Sequence, residues 1–124
     1  MKFLSTRTHT IIGLVAGLAL LVAPWLFGFA DEGGAAVMVP LYVGLFILVS
    51  ELTTTSAASP LKLVPMRIHL VLDVFTGIFL ATSPWLFDFA DLEANAWVPH
   101  VVVGVLVAGY ALFTRTDDAA RSIV

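Results

Sequence analysis

Four apolar runs, at residues 11–29, 35–52, 68–89 and 96–113, divide the chain, and short polar stretches separate them. The first run has 19 residues, about 28 Å as a helix at about 1.5 Å per residue, which suits a hydrocarbon core of roughly 30 Å. The interruptions are of two kinds. Residues 31–34 and 91–95 are acidic turns, whereas residues 53–65 form a longer loop with Thr, Ser and two prolines. The pattern predicts an all-α protein, a bundle of four transmembrane helices.

The runs also repeat. Residues 23–31 read Ala-Pro-Trp-Leu-Phe-Gly-Phe-Ala-Asp and residues 83–91 read Ser-Pro-Trp-Leu-Phe-Asp-Phe-Ala-Asp, seven of nine identical at an offset of sixty. At the same offset His9 matches His69, Gly17 matches Gly77 and Gly44 matches Gly104, while Pro40 matches Pro99 only with a one-residue shift in the turn. A tandem duplication of a two-helix hairpin follows, in a single membrane domain over 1–124. Repeat 1 covers about 9–52, a linker 53–65, repeat 2 about 66–113 and a cytoplasmic tail 114–124. Two spans per repeat give both copies the same orientation, so the expected pseudo-two-fold axis runs along the membrane normal. The positive start and first run also fit a cleaved signal peptide, but the second copy deep inside the chain argues against that.

Composition strengthens the membrane reading. The 124 residues are 60% apolar, with a mean hydropathy of +1.01, more than a soluble domain of this size can bury. No cysteine is present, which excludes disulfides, thiolate metal sites and cysteine nucleophiles. The net charge is -3 and no basic run offers a nucleic-acid face. All six basic residues (Lys2, Arg7, Lys62, Arg67, Arg115, Arg121) lie in the N-terminus, the linker and the C-terminus; Asp31, Glu32, Asp88, Asp91 and Glu93 mark the other two turns. By the positive-inside rule both termini are expected in the cytoplasm, with Trp25, Trp85 and Trp97 at the outer interface.

Within the repeated segment Pro24 and Pro84 sit late in their helices. Each removes a backbone donor, so a kink is expected near Leu20 and Leu80, with Trp25 and Trp85 as interface anchors. Pro40 and Pro99 read as residues of a helix start, and Asn95 as a cap for the fourth span. Gly13 with Gly17, and Gly104 with Ala108, have the small-xxx-small spacing of close helix contacts.

The third span carries a polar stripe: His69, Asp73, Thr76, Leu80 and Ser83 recur at spacings of four and three, on one helix face. The first repeat has His9, Gly13, Ala16, Leu20 and Ala23 at these positions, a small stripe with room for the polar one. Asp73 is read as the only acid inside an apolar run. A carboxylate at the centre of a span costs about 2.5–3.5 kcal/mol on insertion scales, so it is expected to face protein or water. Three readings stay open. Asp73 and the histidines join helices at the cytoplasmic edge; or Asp73, His69 and His9 form a proton or ion path; or a b-type haem takes His9 and His69 as axial ligands. No nucleophile elbow, phosphate loop, metal-ligand spacing or catalytic carboxylate pair is found, so neither an enzyme nor a resident cofactor or metal is expected.

The two Pro-Trp segments, the two-span repeat and the preceding histidines together resemble the SPW-repeat family of small prokaryotic membrane proteins. Ser83, Pro84 and Trp85 carry the full motif, while the first copy has Ala23 before Pro24 and Trp25. The resemblance covers about His9 to Phe113 and implies a bacterial or archaeal inner membrane, without an activity to transfer. The expectation is a non-enzymatic structural or accessory subunit, packing in the lipid bilayer with copies of itself or a larger membrane complex. A small carrier or proton-conducting element is the rival.

Overall fold

The computed structural model describes residues 4–54 and 61–114. Lys2, Arg115, Arg121 and nearly all of the predicted tail lie outside them. Four long helices follow in chain order: α1 (Thr6–Leu26), α2 (Gly34–Thr53), α3 (Met66–Leu86) and α4 (Ala94–Leu112). All four are long and apolar enough to cross a bilayer. Among the described residues there is no strand, only two isolated bridges, Leu4 with Thr114 and Thr54 with Val64. These bridges lie at equivalent places in the two repeats and bring the start of α1, the end of α4 and both ends of the linker to one end of the bundle.

Each helix packs chiefly against its hairpin partner, α1 on α2 and α3 on α4. Glycine makes this approach close. A Cβ on Gly44 would come 2.8 Å from the Gly17 carbonyl oxygen, and one on Gly77 2.6 Å from that of Gly104. In hydrocarbon, where lipid tails solvate apolar side chains as well as a neighbouring helix does, such backbone contact supplies much of the association. Gly17, Gly104 and Ala108 lie in these seams. Gly13 also faces α2, but there the space over its Cα is filled by the side chain of Glu51 and not by backbone.

Between the hairpins a narrow core collects Leu20, Val39, Val43, Ile47, Leu80 and Val107. Leu20 and Leu80, equivalent residues of the two repeats, are both fully buried. The larger apolar chains, among them Val15, Leu18, Tyr42, Phe75 and Leu106, turn outward. A soluble bundle would invert that distribution, so the outer faces meet lipid.

The repeated segment is a helix-ending device. After α1 and α3 the chain passes through a left-handed residue, Gly28 (φ 73°) in the first copy and Asp88 (φ 62°) in the second. The following amide turns back, Phe29 N–H to the Pro24 carbonyl at 2.8 Å and Phe89 N–H to that of Pro84 at 2.7 Å. This is the six-to-one bond of a Schellman ending, and the buried Phe29 and Phe89 supply its apolar contact. Trp25 and Trp85 stay exposed at this end, opposite the linker. Both helices run through their prolines without interruption. Pro84 leaves the Leu80 carbonyl without its usual amide, and the Ser83 hydroxyl donates to it at 2.7 Å.

Two expectations from sequence are corrected here. Pro40 and Pro99 stand beyond the first turns of α2 and α4. Pro40 therefore frees the carbonyl of Ala36 four residues back, and His100 Nε2 on α4 donates to it at 3.0 Å. Asn95 is not the cap of α4, whose capping position is Glu93; its side-chain amide donates instead to the Phe27 carbonyl of the other hairpin at 2.7 Å. In both cases a buried or helix-end carbonyl that the local ladder cannot serve is reached from the neighbouring repeat.

Candidate functional site

Four ionisable side chains meet at the linker end of the bundle: His9 from α1, Glu51 from α2, and His69 and Asp73 from α3. All are fully buried. His9 Nε2 lies 3.1 Å from His69 Nε2 and 2.8 Å from Asp73 Oδ2. His69 Nε2 lies 3.0 Å from Glu51 Oε1 and 3.0 Å from Asp73 Oδ2, and His9 Nε2 is 3.4 Å from Glu51 Oε1. The spacing of four residues between His69 and Asp73 brings both to one face of α3. His9 comes opposite them because α1 is the pseudo-symmetric copy of α3.

The outer ring nitrogens are held in the same way in both repeats. His9 Nδ1 is 2.8 Å from Thr114 Oγ1, and His69 Nδ1 is 2.7 Å from Thr54 Oγ1, with Ser50 Oγ also at 2.8 Å. Each threonine hydroxyl has one proton and donates it to a carbonyl of its own helix, Tyr110 for Thr114 and Ser50 for Thr54, both at 2.6 Å. Toward the imidazole each oxygen is therefore an acceptor, and both Nδ1 atoms carry hydrogen. Both Nε2 atoms are thereby turned to the centre.

Glu51 is the residue that sequence reasoning missed, and Asp73 is not the only acid within a span. At an offset of sixty, Glu51 corresponds to Ala111 and Asp73 corresponds to Gly13. Each repeat thus contributes one histidine and one acid, with the acid on the second helix of the first repeat and on the first helix of the second. The small stripe of α1 is also reassigned: the room left by Gly13 is taken by Glu51, not by Asp73.

The predicted polar stripe divides. His69 and Asp73 join the quartet, whereas Ser83 serves its own backbone and Thr76 borders an outward groove with Tyr42, Val43, Phe46, Phe75 and Phe79. His100 lies at the other end, among Phe29 and Phe89 with ring centroids 5.7 and 4.8 Å away, and does not approach the quartet. The Tyr110 ring packs edge-on to His9 at 4.6 Å.

Four apolar helices in two equivalent hairpins, closed at one end by a buried polar cluster, define a multi-pass membrane protein of duplicated architecture. The chain belongs to the SPW repeat family: the model of the SPW repeat domain matches residues 7–114. Comparison with curated proteins and with solved structures returns no match.

Proposed function

We propose that the chain is a non-enzymatic protein of the prokaryotic plasma membrane, with both termini cytoplasmic. In this reading it is a structural or accessory component that packs in the bilayer against copies of itself or a larger membrane assembly. One observation carries the reading: His9, Glu51, His69 and Asp73 close on one another without exposure, while the helices turn apolar chains outward. A carrier or proton path through Asp73, His69 and His9 needs a wetted route to both faces; the quartet is sealed and lies at one end. A haem would need its two axial nitrogens well apart on opposite faces of the macrocycle, and the 3.1 Å between the Nε2 atoms favours the packing reading over that one. An apolar groove of about 640 Å³ between α1 and α4, lined by Ile12, Val15, Ala19, Val103 and Leu106 among others, supports packing within the bilayer.

Gentle detergent extraction from native membranes tests the role. The protein is expected to migrate above its monomer mass with a stoichiometric partner, itself or another membrane protein; a lone monomer after cross-linking overturns the reading. Orientation has its own test, since the chain has no cysteine. With a membrane-impermeant maleimide, Glu32→Cys is expected to react in intact spheroplasts and Lys62→Cys only after permeabilisation. The reverse pattern would invert the topology.

A further inference from the structure

The quartet presents a chemical problem that hydrogen bonds between its members solve poorly. Both Nδ1–H groups are committed outward to threonine oxygens. If the Nε2 atoms carry no hydrogen, two nitrogen lone pairs and two carboxylate oxygens face one another at about van der Waals distance or less. If both carry hydrogen, His9 Nε2–H donates to Asp73 Oδ2 at 2.8 Å and His69 Nε2–H to Glu51 Oε1 at 3.0 Å, but the two imidazolium rings then stand with their nitrogens 3.1 Å apart. Each carboxylate moreover keeps a second oxygen, Glu51 Oε2 and Asp73 Oδ1, buried and, among the described residues, without a hydrogen-bond partner. Orphaned buried acceptors of this kind call for a ligand.

We propose that His9 Nε2, His69 Nε2, Glu51 Oε1 and Asp73 Oδ2 bind one divalent first-row transition-metal ion, zinc being the ion the donor set fits best, as a clasp between the two hairpins. A divalent cation carries the charge of the two central protons it replaces, so the site of two neutral imidazoles and two carboxylates stays neutral in the membrane. It also turns the opposed Nε2 atoms into common ligands.

The geometry is close to that of a zinc centre. Zn–N and Zn–O bonds of about 2.0–2.2 Å in a tetrahedron place neighbouring ligands about 3.3–3.6 Å apart. The five nitrogen-containing edges of the quartet run from 2.8 to 3.4 Å, and all four donor atoms lie within 4.8 Å of one another. An expansion of a few tenths of an ångström accommodates the ion. The outer shell is already built: ligating histidines characteristically donate their other ring N–H to a fixed acceptor, which sets tautomer and ring orientation. Thr54 and Thr114 do this twice over, from opposite repeats.

The donor set also selects among ions. Without thiolate there is little to attract Cu(I), and Mg²⁺ prefers an octahedron of oxygens that keeps several waters. Free carboxylate oxygens at Glu51 and Asp73 would let Mn²⁺ or Fe²⁺ reach a higher coordination number at the same site. Because two ligands come from each hairpin and none is exposed, a bound ion would tie the hairpins together and exchange slowly.

Elemental analysis of protein purified in detergent without chelator, and Co²⁺ supplied in the growth medium as a spectroscopic probe, test the proposal. Near-stoichiometric metal in the wild type is expected, with the intense visible bands of tetrahedral Co²⁺ in the cobalt-grown protein. Both signals are expected to fall to background in Glu51→Gln and His69→Gln, and to persist in the exposed-site control Asp91→Asn. The cobalt spectrum of the wild type needs no variant to fold. Folded wild-type protein with neither metal nor cobalt bands, or metal retained equally in both quartet variants, would overturn the proposal. Either result is independent of whether a partner protein co-purifies.

Discussion

Glu51→Ala is expected to destabilise the bundle by about 3–5 kcal/mol, measured by unfolding in mixed detergent micelles. Removing one member of a buried charged group leaves the others uncompensated in a medium that hydrates them poorly. The swapped placement of the acids supplies a stringent companion experiment. Gly13→Asp alone introduces a side chain where Glu51 already sits, and should also destabilise strongly. Together, Gly13→Asp and Glu51→Ala rebuild in the first repeat the arrangement of Asp73 and Ala111 in the second. The double variant is expected to recover most of the stability lost in Glu51→Ala. Simple additivity of the two losses would mean that the repeats do not hold their acids in equivalent ways.

Gly104→Val is the other change with a large expected effect. A Cβ there meets the backbone nitrogen of Ala81 and comes 2.6 Å from the carbonyl oxygen of Gly77. Neither backbone atom can rotate away, so α3 and α4 must separate along their tightest seam. The expected loss is about 3 kcal/mol, at the upper end for overpacking, seen as a lower unfolding midpoint. Gly109→Ala is the matched control, because nothing lies within 4 Å of a Cβ at that position. It should be neutral or stabilising by about 0.5–1 kcal/mol through the better helix propensity of alanine. Equal effects at the two glycines would remove the close seam from the account of the fold.

The four spans were legible because hydropathy reports the solvent directly, and a bilayer allows few alternatives for a run of about twenty apolar residues. The duplication was legible from the nine-residue match alone. Helix ends were read less well. Predicted runs carried the first and third helices to residue 29 and residue 89, whereas both stop at the leucine three positions earlier. Phe29 and Phe89 are apolar because they fold back under a Schellman turn, a use of hydrophobicity that a simple run cannot distinguish from one more helical turn.

The site was half legible. His9, His69 and Asp73 stood out as polar residues in register within apolar helices. Glu51 did not, because an acid in the last turn of a span has the same appearance as an interfacial residue marking the exit into water. The available signal was relational: an acid facing glycine in one copy against an acid and alanine exchanged between helices in the other. Threonines 54 and 114 were invisible for a similar reason. Each lies just past its helix end, at a position where sequence reads only a loop, and its role depends on contact with a residue of another helix.

The even division of the quartet has a bearing on origins. One imidazole and one carboxylate per hairpin is half of a closed ring, so an ancestral single hairpin would have needed only a twin beside it, facing the same way, to complete the set. Gene fusion would then have made permanent an association that began between separate chains, and relocation of one acid afterwards would have left the two halves unable to trade places.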